Sequence, residues 1–244
     1  LNKPRPPSGL VYNDFNPEHH VIDDFKYSPT MSGRIAIDWG FRKPSVLIIV
    51  YDEFRKASII VNEINPQEVT IEQLSAMILQ IAWPRALQSS APGKRIFLDT
   101  GIADKAGRAR SDQTGLSAFR LIRKLPAEGG IGLPLRSTTD PVRTDILNGV
   151  QRLKRAFNSN KYLITRKVWE RGERATGNSI RKALLSYAWD TKEQPKKDGR
   201  EDPLDALRYD CMFHHWTDSH RTYTPRAKRM DRNIKVGSSK KRSF

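Results

Sequence analysis

The stretch SVLIIVYDE, Ser45–Glu53, constrains the fold more than any other part of the chain. A short, almost unbroken apolar run with polar ends predicts a strand buried on both faces. RIAIDWG, beginning at Arg34, precedes it as a second β run, and Lys56–Ile64 follows as a third. Connections this short leave no room for crossover helices, so the three runs should pair as antiparallel hairpins. Helical patterns then alternate with β runs. Thr70 and Gln73 form a capping box before a stripe of Leu74, Met77, Ile78 and Ile81, and Trp83-Pro84 should end or kink that helix. KRIFLDTG (Lys94–Gly101) is predicted as a strand, Gly115–Leu125 as a helix and Ile131–Arg136 as a strand. Asp140-Pro141 should open a helix with Ile146, Leu147, Val150, Leu153 and Phe157 on one face and Arg143, Arg152 and Arg155 on the other. KYLIT reads as a strand, and Asn178–Tyr187 and Pro203–Trp216 as helices. Hairpins followed by alternating helices and strands imply an α/β fold, a mixed sheet with helices on both faces.

A chain of 244 residues suits one large domain. Residues 1–33, proline-rich at the start, read as a linker or an arm lying on a domain, residues 34–220 as the domain itself, and 221–244 as a tail. That tail carries nine Lys and Arg against the single acid Asp231, half of the net charge of +16, and its composition predicts disorder. Such an excess of positive charge favours polyanions. No amphipathic basic helix, apolar signal core or run of transmembrane length argues for a membrane. The lone Cys211, in an apolar run, excludes an internal disulfide and a cysteine-built zinc site, and is expected to be a small buried hydrophobe in a soluble protein of a reducing compartment. The histidines show no metal-ligand spacing with it.

Acids at strand ends are the candidates for chemistry. Asp38 follows a β run and precedes Trp39-Gly40, and Asp99 follows Ile96-Phe97-Leu98 and precedes Thr100-Gly101. A buried carboxylate is unfavourable unless paired or bound to a cation, although Asp also starts turns and caps helices routinely. GREDPLDALRYD adds Glu201, Asp202, Asp205 and Asp210 around the start of the last helix. Asp202-Pro203 is a good helix start, and the same spacing aims Asp202 and Asp205 into one region. If that helix start abuts the ends of the Asp38 and Asp99 strands, the carboxylates converge as a site for two hard cations. Basic loops flank the candidates. Lys105, Arg108 and Arg110 follow Asp99, while Lys192, Lys196, Lys197 and Arg200 precede Asp202; basic loops are commonly just solvated, and two that flank the candidates suit contacts with DNA phosphates equally well. Trp39 reads as packing rather than base stacking.

The IDWG strand with its hairpin, the FLDT strand end, and SYAWDTKEQPKKDGREDPLDALRYD together resemble the nuclease domain of phage DNA-packaging terminase large subunits. Tyr187, Trp189, Asp202, Asp205, Ala206, Leu207, Arg208 and Tyr209 match that family's closing motif, the most specific part of the likeness. GLVYNDFNPEHHVIDDF resembles the segment joining the family's ATPase to its nuclease, and DPVRTDILNGVQRLKRAF its middle helix, so the resemblance spans residues 9–216. It implies a ribonuclease H-like sheet and a hydrolase that cuts double-stranded DNA with little sequence preference, using two Mg²⁺ or Mn²⁺ ions held by Asp38, Asp99, Asp202 and Asp205. It further implies the terminase ATPase domain, the portal protein and the small terminase subunit as partners, in the cytoplasm of an infected bacterial host. Many members carry His at the position of Asp202, so the division of labour between Asp202 and Asp205 stays open. The chain has no Walker A motif, since around Gly93-Lys94-Arg95 the hydroxyl residue is missing and Gln88 replaces the first glycine. It is expected to be either an excised domain or a separate nuclease subunit. Another ribonuclease H-like enzyme, such as a Holliday-junction resolvase or a transposase, is the enzymatic alternative. A non-catalytic DNA-binding module is the other.

Overall fold

The computed structural model describes residues 9–23, 25–39, 43–109, 115–137, 145–190, 195–196, 199 and 201–214. The expectations for Arg110, Asp140-Pro141, Arg143, Lys192, Lys197, Arg200 and the tail at 221–244 lie outside these residues. The three central strands form where the apolar runs place them: β2 (Gly33–Asp38), β3 (Ser45–Asp52) and β4 (Ala57–Ile64). They pair antiparallel, with Ile35 opposite Ile48 and Val50 opposite Ile59. The described strands make an eight-stranded sheet in the order β1 (Val21–Ile22), β8 (Tyr162–Thr165), β4, β3, β2, β6 (Ile96–Ala103) and β5 (Ala82–Pro84). β7 (Leu135–Arg136) also joins β6. Pairing of β2 with β6, β4 with β8, and β1 with β8 is parallel, so the sheet is mixed.

Alternation along the strands divides the apolar residues into two layers. Ile35, Ile37, Val46 and Ile48 face a cluster with Leu74 and Ile78 of α2 (Ile71–Leu79) and Ile122 of α3 (Ala118–Arg123). Ala36, Leu47, Ile49 and Ile60 face the opposite cluster. Its helices are α4 (Ile146–Asn158), α5 (Arg166–Arg174), α6 (Ile180–Ser186) and α7 (Asp202–His214). Val11, Tyr12 and Phe15 belong to this second core, just before the short α1 (Pro17–His20). The chain from Gly9 onward thus packs on the sheet and adds β1 to it.

Three local expectations change, and one helix appears where none is predicted. The Thr70 capping box forms, but α2 ends at Leu79, and Ala82–Pro84 is extended beside β6, where a sheet edge tolerates proline's missing N–H. The run at 131–136 contributes only two residues of strand. α4 starts at Ile146 with Asp145 as its cap, buries Arg152 and leaves Leu147 largely exposed. α5, with only Val168, Trp169 and Gly172 buried, has no wide apolar stripe to announce it.

One buried polar group fixes α7 to the sheet. Arg34, on the same strand face as Ala36, gives Asp210 two hydrogen bonds of 2.7 Å and Ser58 a third of 2.7 Å. The Tyr162 hydroxyl donates to Asp210 as well, at 2.7 Å. Burial alone would raise the Asp210 pKa, but the Arg34 guanidinium and these hydrogen bonds hold it below the ordinary carboxylate value. Removing one member leaves a buried charge uncompensated, which destabilises by about 3–5 kcal/mol. Asp210→Ala should therefore lower Tm by roughly 10 °C. The double change Arg34→Met with Asp210→Leu, which buries neither charge, should recover most of that loss. Melting of Asp210→Ala within two or three degrees of wild type would show that the pair does not anchor the helix.

Candidate active site

The register of β2 against β6 builds the site. Ile37 is partnered with Ala103, and the Asp104 amide donates to the Ile37 carbonyl at 3.1 Å. Asp38 and Asp104 are thus the next residues along two neighbouring parallel strands. Ile37 and Ala103 point into the α2/α3 cluster, so their successors turn to the opposite face, where α7 lies. There α7 runs so that Asp210 meets Arg34, while Asp202 and Asp205, in its first turn, lie close enough to act on Asp38 through their charges. One strand face and one helix therefore carry both the anchoring ion pair and the acidic site.

Electrostatics agree with the convergence. The Asp38 pKa is pushed up from 3.8 to about 8, chiefly by burial, then by Asp205, Asp202 and Asp104, with Arg208 opposing. Among the described residues nothing donates a hydrogen bond to its carboxylate. Asp202 rises to about 6 through burial and its neighbours Glu201 and Asp205, with Lys43 opposing. Arg208, only 2 % exposed, donates to Asp205 at 3.1 Å and stacks over the Tyr209 ring, 4.7 Å from its centroid. Burial would lower the Arg208 pKa, but Asp205 keeps the guanidinium firmly charged. Gly149 makes room for it, since a Cβ there would stand 2.5 Å from the Arg208 Cδ.

Asp99 does not join this group. Gly33 is paired with Leu98 and Arg34 with Thr100, so Asp99 is the extra residue of a bulge. It lies five residues before Asp104, about 16 Å away along an extended strand. Its carboxylate accepts the Gly33 amide at 3.0 Å and pairs with Arg85, which also donates to the carbonyls of Pro29 (2.6 Å) and Met31 (2.5 Å). DTG reads as a turn in the sequence, which places the end of the strand at Asp99. Gly101 lies inside the strand instead, where a Cβ would meet Leu135 Cδ2 at 2.4 Å. Asp104, missed on sequence, takes the place proposed for Asp99, and GIAD ends its strand as IAID ends β2.

The basic residues fall into two groups. Lys105 and Arg108 sit exposed on a 3₁₀ turn, Lys105–Arg108, that starts beside Asp104. Lys43, overlooked on sequence, is exposed and lines a small polar recess with Ser45, Asn65, Asn178 and Asp202. Lys196 is exposed, with its amide bonded to the Ala188 carbonyl. Glu63 is a nearby buried acid with a structural role, accepting the Ile180 amide at 2.8 Å at the start of α6. Cys211 is buried, as expected, and burial pushes its thiol up to about 12.

The large terminase of a thermophilic bacteriophage, in complex with ADP, superposes with a TM-score of 0.60 at 15% identity, covering 85% of this chain and 45% of that one. The P22 large terminase nuclease domain superposes with a TM-score of 0.58 at 16% identity, covering 85% of this chain and 93% of that one. The chain has the ribonuclease H-like fold of a large terminase nuclease domain. It spans less than half the length of the thermophilic phage's large terminase, but nearly all of the P22 nuclease domain. No protein-family model and no curated protein sequence matches the chain. No helix among the described residues is long and apolar enough to cross a membrane.

The acids fit a divalent cation by donor type. Hard cations take carboxylate oxygens, and a buried carboxylate crowded by three others and lacking a donor is the group that such an ion relieves. Among the described residues no three His, Cys, Asp or Glu side chains are drawn tightly enough to enclose an ion.

Proposed function

We propose that this chain is the nuclease part of a viral genome-packaging terminase, cutting double-stranded DNA with the help of Mg²⁺ or Mn²⁺. The observation that carries the reading is the convergence of Asp38, Asp104, Asp202 and Asp205, from two strand ends and one helix start, on a terminase-nuclease fold. Asp38 and Asp104 would hold the metal from the sheet, Asp202 and Asp205 from α7, and four carboxylates suit a pair of ions. Bound there, the ions would supply Lewis-acid activation of water and neutralise charge at the scissile phosphodiester. Arg208 donates to Asp205 and so orients its carboxylate. Lys43, Lys105 and Arg108 form an exposed rim for backbone phosphates, and a rim of this kind binds without reading sequence. The same reading makes the ATPase, portal and small-subunit components of a packaging motor the partners, inside an infected bacterial cell.

Incubation with supercoiled plasmid tests the proposal. Nicking and linearisation should appear with Mn²⁺ or Mg²⁺, vanish with chelator, and leave ends of no fixed sequence. Strong preference for branched junctions would move the assignment to a resolvase. Salt-sensitive DNA binding with no cutting under any divalent cation would leave a DNA-binding module.

A further inference from the structure

Trp39 directly follows Asp38, and its indole reaches across to the neighbouring strand end. Nε1 donates to the Asp104 carbonyl at 3.0 Å. The ring then lies on the backbone of Gly107, in the 3₁₀ turn just after Asp104. A Cβ at Gly107 would stand 2.0 Å from Nε1 and 2.3 Å from Cε2, so only glycine admits the indole. Behind it the ring meets Phe119, with centroids 6.1 Å apart, and the Arg108 guanidinium covers Phe119 from 5.5 Å. Trp39 is only half-buried in the α2/α3 core, so filling that core does not by itself explain why the bond and the glycine coincide here.

We infer that Trp39 is a positioning residue, a latch that fixes the spacing of Asp38 and Asp104 and so tunes metal affinity. The inference rests on reading those two acids as metal-holding. The physical case is that β2 and β6 stop pairing at this point, beyond the bond from Asp104 to Ile37. Past it, mutual repulsion of the acids would otherwise splay the strand ends. The indole ties the residue after one acid to the carbonyl of the other, where β2 and β6 no longer pair with each other. Groups that orient metal ligands without touching the metal typically change affinity by about 10–100-fold.

The inference is tested by calorimetric titration of Mn²⁺ into the DNA-free full chain at pH 8, with four variants. Trp39→Phe keeps a ring but loses the donor, and Gly107→Ala pushes the indole away. Each should weaken Mn²⁺ binding about 10-fold. The double variant should be no worse than Trp39→Phe alone, because the smaller phenyl leaves room for the new methyl. Trp83→Phe is the control: its Nε1 makes the same kind of bond, to the Leu87 carbonyl at 2.9 Å, on edge strand β5 far from the acids. It should leave Mn²⁺ affinity within twofold of wild type. In cleavage assays the Mn²⁺ concentration for half-maximal rate should shift about 10-fold for Trp39→Phe, with a smaller change in the saturated rate. Wild-type affinity in both Trp39→Phe and Gly107→Ala overturns the latch while leaving the metal site standing. No Mn²⁺ binding by wild type overturns the metal reading, and the latch with it.

Discussion

Asp38→Asn should reduce cleavage by at least about 10³-fold, and at alkaline pH it should make the metal-free protein more stable than wild type. The substitution keeps the shape of the side chain and deletes the charge. The sign follows from the two states. Unfolded, Asp38 ionises near 3.8; folded, it does so at about 8, because it is buried and crowded by Asp205, Asp202 and Asp104. Between those values the native state holds a proton that the unfolded chain has released. Stability contributed by neutral Asp38 is intact below about pH 4, falls as pH rises, and is lost above about 8. The slope approaches 1.4 kcal/mol per pH unit at most. On the order of 2 kcal/mol should separate the Asn variant from wild type at pH 9. That corresponds to several degrees in Tm. Divalent metal removes the difference, since binding requires the ionised carboxylate, and wild-type Mn²⁺ affinity should climb with pH up to about 8. Thermal melts from pH 5 to 9, with and without Mn²⁺, measure all of this. An Asn variant that melts lower than wild type at pH 9 without metal, or that cuts normally, refutes the role given to Asp38.

The sequence showed some parts of this architecture plainly because local and tertiary signals agree there. Val46–Val50 had to be a buried strand, the short connections around it had to be hairpins, and Asp202-Pro203 had to start a helix. Asp38 was legible for the same reason, lying at the end of a strand whose end is unambiguous. β6 misled because two of its features imitate a turn. Asp99 and Gly101 are common in turns, yet one fills a bulge and the other lets Leu135 approach the strand. Only the partner strand reveals the difference, and pairing partners do not appear in a local pattern. Arg152 and Arg208 illustrate a second limit. Charged side chains read as solvated until a packed helix face, or a glycine such as Gly149, provides them with a buried path. Residues 9–22 illustrate a third: Val11, Tyr12 and Phe15 show no period, because they pack into a core built by later elements, Tyr12 and Phe15 both against Phe157.

Exchanging the fates of Asp99 and Asp104 offers the sharpest test of where β6 meets the chemistry. Asp104→Ala should collapse cleavage by about 10²–10³-fold, raise the Mn²⁺ needed for half-maximal rate, and leave Tm unchanged or slightly higher, since it removes a charge that repels Asp38. Asp99→Ala should behave in the opposite way. Its carboxylate satisfies the Gly33 amide at the bulge and pairs with a partly exposed Arg85, so its loss frees one donor and one surface ion pair. Exposed pairs contribute about 0–1 kcal/mol and a lost hydrogen bond about 1 kcal/mol, so a fall of a few degrees in Tm is expected. Arg85 still holds the Pro29 and Met31 carbonyls, which limits the disturbance to that end of the sheet. The acids near Asp38 lie about 16 Å away, and their metal affinity and cutting rate should stay within about twofold of wild type. Two single variants, each read by melting, by Mn²⁺ titration and by plasmid cleavage, complete the comparison. If Asp99→Ala abolishes cutting at wild-type stability while Asp104→Ala cuts normally, the strand end built by Ile102, Ala103 and Asp104 is not the catalytic one, and the site must be sought at the bulge.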